Sequence, residues 1–204
     1  MKVNRNLIKE ISLACLSFLI PFVLLIIIFS VNKISLTNYS NHTIMMIDMQ
    51  SEYIAYMRDL RNILLGEGSL IYTNSKLFGG DYLSIFTFYL SSPFNFYVVF
   101  FNEEAIPLFF VWSSLIKMAL ASLNFYLLMR LSCKFTYQKI IFAIGYGLIS
   151  YSFVYLSNFM WLDGVMILPL VILGLEFLKE RKHYWLYPLA FGADRLLKGG
   201  RCDA

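Results

Sequence analysis

The sequence predicts an all-α, polytopic transmembrane protein with a large first extracytoplasmic loop. Three observations lead there. Hydrophobic residues make up 59% of the 204-residue chain and charged residues only 15%, with a mean hydropathy of +0.65. A soluble domain of this length carries far more charge. Several apolar runs approach the roughly 20 residues that cross a bilayer. The bases collect beside those runs, where they set topology instead of forming a patch. The net charge of +4 is therefore a topology signal. It excludes nucleic acid as a partner and leaves the lipid bilayer as the first one.

Residues 11–31 form the first span, with no charge inside it and Pro21 placed to kink it. A cleaved signal peptide is the rival reading. The run is too long for one, and Phe29-Ser30-Val31 is a poor small-residue cleavage site. Residues 105–129 give a second span, 140–157 a third and 164–178 a short fourth, and a fifth starts near Tyr184. The apolar stretch 84–101 is ambiguous, and the bases decide it. Lys2, Arg5 and Lys9, then Arg130, Lys134 and Lys139, then Lys179, Arg181 and Lys182 share one side only if 84–101 does not cross. Pro93, among Ser91, Ser92 and Asn95, also breaks that stretch, so a half-inserted or interfacial hairpin is expected. The amino terminus is then cytoplasmic.

The first outer segment, 32–104, holds seven acids and four bases. A helix is expected from Met49 to Leu65, with Ile54, Met57, Leu60 and Leu64 on one face and Gln50, Arg58, Asp59 and Asn62 on others. Such a helix is expected to lie on the membrane plane. Residues 192–204 abandon the apolar pattern for charges and glycines. They read as a truncation or a non-native end, with an amphipathic terminus as the alternative. Cys15, Cys133 and Cys202 lie far apart, and His42 and His183 are isolated. A disulfide framework or zinc site is not expected. Asn38-Tyr39-Ser40 and Asn41-His42-Thr43 are formal glycosylation sequons without meaning in a bacterium.

Four places carry candidate chemistry, each with a plainer reading. Asp48, heading the outer helix, suits a general base or a metal ligand beside a phosphate, but Asp is also a favoured N-cap. Lys117 falls near the middle of the second span, where a cation needs a partner or a hydrated cavity. Ser114, Ala121 and Asn124 share its face, so helix packing with Lys117 paired to an acid competes with contact to a lipid phosphate. Asn158–Gly164 reads as the tight turn between the third and fourth spans. There Asp163 caps the fourth helix or faces the same outer cavity as Asp48, and Trp161 is a belt aromatic or part of that site. Leu77-Phe78-Gly79-Gly80-Asp81 is a turn whose glycines let the backbone approach a phosphate or sugar.

Taken in order, these segments resemble the amino-terminal part of the YfhO family of bacterial membrane proteins. The carrying residues are Asp48, Gln50, Glu52 and Tyr53, then Gly79 and Gly80, then Tyr89, Ser92, Pro93 and Asn95, then Lys117, and finally Asn158, Trp161 and Asp163. The resemblance covers roughly residues 10–191. It implies a GT-C-like fold and a glycosyltransferase of the bacterial plasma membrane. Such an enzyme takes a sugar from a polyprenyl-phosphate carrier on the outer face and adds it to a cell-envelope polymer of teichoic-acid type. Asp48 matches the outer-loop acid that serves that fold as base or metal partner. Gln50, Glu52, Tyr53, Asp81, Tyr89, Lys117, Trp161 and Asp163 are the expected substrate contacts. The resemblance also allows a divalent cation, magnesium or manganese, with no ligands assigned. The chain is shorter than the family pattern, which it leaves after Phe191, so the later spans and the outer carboxy-terminal domain are not expected in it. Two rivals stay open: a transporter or flippase of lipid-linked sugars, and a non-catalytic accessory subunit.

The topology is directly testable. In a background without the native cysteines, a cysteine at Ser69 should react with an impermeant thiol reagent on intact cells and one at Ser132 should not. The reverse pattern would overturn the assignment of 32–104 to the outer face.

Overall fold

The computed structural model describes residues 5–37, 44–46, 48–76, 78–132, 135–179 and 188–189. The fifth span near Tyr184, the tail 192–204, the two sequons, Cys133, Cys202 and both histidines lie outside the described residues.

Helix α1 runs Arg5–Val31, α4 Ile106–Ser132 and α7 Phe159–Lys179. These carry the segments long and apolar enough to cross a membrane: Ile8–Val31, Glu103–Leu131 and Phe159–Lys179. Helices α1 and α4 are antiparallel neighbours. Glu10 meets Tyr126 and Arg130 at one end, the Ser122 hydroxyl donates to the Ser17 carbonyl between, and Phe22 meets Trp112 further on. On its other side α4 packs against α5, Thr136–Gly147, and α7. Pro21 lies within α1 and Pro169 within α7.

The segment between α1 and α4 is tied together by polar contacts. A π-helical turn, Met49–Tyr53, leads into α2, Ile54–Leu64, matching the expected helix within a residue at its end. A short antiparallel pair, β1 (Tyr72–Thr73) with β2 (Gly80–Asp81), precedes α3, Tyr82–Ile85. A π turn, Phe86–Leu90, and a 3-10 helix, Pro93–Phe100, follow. The two arms Tyr82–Leu90 and Pro93–Phe100 meet at 107°. The break falls at the Ser91-Ser92-Pro93 step because proline cannot donate to the helix before it. Arg61 donates through Nε to the Phe101 carbonyl at 2.6 Å, and the Tyr82 hydroxyl donates to the Tyr56 carbonyl at 3.0 Å. The Thr73 hydroxyl donates to the Asp59 carboxylate.

Four expectations need correction. The third span, 140–157, is not one helix: α5 stops at Gly147, residues 148–149 leave helical geometry, and α6 covers only Ser150–Val154. Hydropathy counts apolar residues and is blind to this interruption. The fourth helix starts at Phe159 rather than Gly164, so Asp163 lies inside it and caps nothing. Asp48 is not a side-chain cap either. Its backbone is already helical at φ −62°, ψ −33°, and its carboxylate makes no capping bond, whereas an N-cap residue is non-helical. Finally, Tyr56, Met57 and Leu60 of α2 are buried by protein, mainly the Pro93–Phe100 arm and α4, so protein instead of membrane covers this apolar face.

Gly147 marks the tightest approach of α5 to α4. A β-carbon there would stand 2.7 Å from Ser122 Cβ and 3.0 Å from the Met118 carbonyl oxygen, and that backbone cannot swing aside. Gly147→Leu should therefore lower stability by about 1–3 kcal/mol, the usual cost of overpacking, read as a drop in melting temperature in detergent. An unchanged melting temperature would show that α5 does not hold this contact.

Candidate functional site

The centre of the helical bundle is a charge pair. Lys117 lies about 16 Å along α4 from Ile106, which is about half the hydrocarbon thickness. An unpaired cation there costs about 2.5–3.5 kcal/mol on insertion scales. Its Nζ is 2.8 Å from Asp163 Oδ2, and the two side chains are 0% and 2% exposed. The other carboxylate oxygen, Asp163 Oδ1, accepts a hydrogen bond from Ser92 Oγ at 3.0 Å. Ser92 sits at the bend between the two hairpin arms, so the tip of the outer hairpin reaches the ion pair inside the bundle. Lys117 Nζ also stands 3.4 Å over the Phe159 ring, whose negative π-face attracts a cation.

The polar stripe of α4 faces α7, as the packing reading of Lys117 expects. Asn124 donates to the Met166 carbonyl at 2.7 Å, and Ala121 packs against Met166 and Ile167. The stripe packs helices, and Lys117 is paired to an acid within it. Ser114, one turn outward, is fully buried with no partner for its hydroxyl among the described residues.

Rings connect this pair to the outer acids. Phe159 stands edge-on to Phe110, centroids 5.0 Å apart, and to Tyr53 at 6.5 Å. Tyr53 in turn meets Tyr89 edge-on at 5.2 Å. The first turn of a helix has N–H groups without intrahelical partners, and that of Met160 in α7 is directed at the Tyr53 phenol oxygen. Burial pushes the Tyr53 phenol well above its ordinary pKa, with nearby Tyr89, Asp48 and Asp163 adding to the effect and the Met160 N–H opposing it. Tyr53 is therefore a neutral phenol throughout the physiological range. Tyr89 lies within hydrogen-bonding reach of Glu52, and Asp48 is close enough to act on both phenols. Glu52 is half-buried and Gln50 exposed on the π-helical turn, and Asp48, just before it, is exposed as well.

Of the expected residues, the structure thus gathers Asp48, Glu52, Tyr53, Tyr89, Lys117 and Asp163, with Gln50 on their rim. Asp81 and Trp161 are engaged elsewhere. Asp81 caps α3, accepting from Leu83 N at 3.0 Å and Ser84 N at 3.1 Å, and from the Ser84 hydroxyl. Those bonds, the Ser84 hydroxyl foremost, hold its carboxyl below the ordinary range. Trp161 packs with Tyr155, centroids 4.8 Å apart, and stacks with Tyr151 at 6.4 Å. Ser92 and Phe159 join the site unforeseen. The signal for Ser92 was present as a polar break in an apolar run, whereas a phenylalanine in an apolar helix gives no signal. Among the described residues no three His, Cys, Asp or Glu side chains come together as a metal site. No step is assigned to a divalent cation.

A family model described as bacterial membrane protein YfhO matches residues 17–193. The chain belongs to the YfhO family. No curated protein and no solved structure matches it. As a YfhO protein it is a helical, multi-pass membrane protein, and the family's match runs through every residue of the Lys117–Asp163 cluster.

Removing one partner of a buried ion pair leaves the other charge uncompensated, at a cost of about 3–5 kcal/mol, while an apolar replacement of both is often neutral. Lys117→Met and Asp163→Leu should each lower folded yield and melting temperature in detergent. The double variant should recover most of the loss. Additive losses would show that the two charges are not coupled.

Proposed function

We propose that this YfhO protein is part of a membrane glycosyltransferase. It moves a sugar from a polyprenyl-phosphate carrier to a cell-envelope polymer of teichoic-acid type on the outer face of the bacterial plasma membrane, with its amino terminus in the cytoplasm. The observation that carries this reading is an exposed acid, Asp48, just before a π-helical turn whose Tyr53 meets Phe159, the ring beneath the buried Lys117 of the Lys117–Asp163 pair. A carboxylate at the water boundary beside a cation deeper in the membrane suits a substrate with a polar acceptor and a membrane-embedded phosphate.

In this reading Asp48 takes the proton of the acceptor hydroxyl as its oxygen attacks the anomeric carbon. The bond from that carbon to the phosphate oxygen breaks, and polyprenyl phosphate leaves with the electron pair. Lys117 steadies the negative charge that develops on the phosphate. In this structure Lys117 is committed to Asp163, so the phosphate must compete with that carboxylate, and Ser92 helps hold the carboxylate in place. Glu52, Tyr53 and Tyr89 contact the sugar, with Gln50 at the mouth. No step is routed through magnesium or manganese. A flippase of lipid-linked sugars is the second reading, favoured by the ion pair at mid-depth, since charges there line substrate paths.

Because Asp48 caps nothing, Asp48→Asn and Asp48→Ala should both leave stability unchanged. Each should reduce sugar release from a labelled polyprenyl-phosphate donor by about 10²–10⁴, the usual worth of a general base. Sugar transfer at the parental rate in both variants would remove Asp48 as the base. Movement of the labelled lipid across proteoliposomes without sugar release would favour the flippase.

A further inference from the structure

A groove of about 500 Å³ runs between α1 and α4, away from the Lys117–Asp163 pair. Its floor is apolar: Ile11, Ala14, Phe18 and Leu19 from α1, Leu123 and Leu127 from α4. One end is charged. There Arg130 Nε meets Glu10 Oε2 at 3.0 Å, and the Tyr126 hydroxyl donates to the same carboxylate oxygen. Arg130 is nevertheless 46% exposed, and Lys9 beside Glu10 is exposed as well. Glu10 and Arg130 balance within the groove, and Lys9, the residue before Glu10, adds one positive charge near its end.

We infer that this groove is a binding site for an anionic phospholipid of the leaflet that Arg130 faces. The phosphate lies on Arg130, and one acyl chain lies along Ile11, Ala14, Leu123 and Leu127. Length supports this occupant. From Glu10 to Leu19 the groove extends about 13 Å along α1, close to the roughly 15 Å depth of one leaflet's hydrocarbon. A membrane-crossing helix would need a groove about twice as long. The volume falls in the range of about 300–1,000 Å³ typical of small-ligand sites. Charge gives the headgroup preference. Arginine binds phosphate through a planar fork of donors, and Glu10, by engaging the Nε edge, fixes the orientation of that fork. The positive-inside rule places this end in the cytoplasmic leaflet. The site is independent of sugar transfer, since none of its residues belongs to the outer cluster.

Native mass spectrometry of the full chain, released from micelles containing equal dioleoyl-phosphatidylglycerol and dioleoyl-phosphatidylcholine, tests this. The unmodified chain should retain one phosphatidylglycerol with a preference of about tenfold, the worth of one charged hydrogen bond. Arg130→Gln should abolish the preference while some lipid is still retained. Ala14→Trp fills the floor and keeps the charge, so it should abolish retention of both lipids, with helicity by circular dichroism checking that the fold survives. Equal retention of the two lipids by the unmodified chain would overturn the site. So would a preference that survives Arg130→Gln, or a lipid-free dimer that Ala14→Trp dissociates.

Discussion

The structure depends on a charge neutralised where no charge can remain alone. Lys117 is fully enclosed in the middle of α4, and the Asp163 carboxylate, with the Phe159 ring beside it, makes that position tolerable. The pair fixes where α7 stands against α4, because a 2.8 Å contact allows little sliding. It also fixes the outer hairpin, whose Ser92 satisfies the second carboxylate oxygen. Three segments far apart in sequence are thus registered by one carboxylate. An isolated Lys117 or Asp163 would favour a rearranged bundle with the charge near water.

Aromatic edges join the surroundings of Asp48 and Glu52 to the ion pair, with hydrogen bonds at Tyr89 to Glu52 and from the Met160 N–H to Tyr53. Tyr89, Tyr53, Phe159 and Phe110 meet nearly perpendicular to one another, the arrangement that ring quadrupoles favour. Such contacts are individually worth about 0.5–1.5 kcal/mol and resist deformation together. The π-helical turn that follows Asp48 and holds Gln50 and Glu52 also places Tyr53 inward. One extra residue in that turn lets consecutive side chains serve water on one side and the bundle on the other, and π turns are frequent at functional sites.

Much of this was legible in the sequence, and the reasons are local. Apolar runs of sufficient length marked α1, α4 and α7. Their ends were misjudged where a charge was read as a boundary, as at Asp163. A charge inside a helix is visible in sequence, but its partner 46 positions away is not. The outer helix was legible from Met57 and Leu60 at helical spacing. What covers that face depends on how the hairpin folds back, which no local pattern encodes. Asp48 was read at the head of the helix, where it stands, yet its cap role failed because helical winding already includes it. The break after Gly147 escaped because Leu148 and Ile149 are as apolar as a helix requires.

That break has a consequence for solvation. Gly147 lies against the Met118 carbonyl, one residue from Lys117, and α7 begins at Phe159, whose ring lies beneath Lys117, so α5 ends and α7 begins beside the buried ion pair. The last carbonyls of a helix and the first N–H groups of another lack intrahelical partners, and hydrocarbon supplies none. Irregular backbone at that depth is tolerated only against protein or a water-filled cavity. The stretch 148–158 answers much of that demand within itself: Leu148 and Ile149 donate back to the Ile144 and Tyr146 carbonyls, and Asn158 donates to that of Tyr155. A broken helix can in this way keep its own backbone satisfied through tight turns, without borrowing partners from solvent.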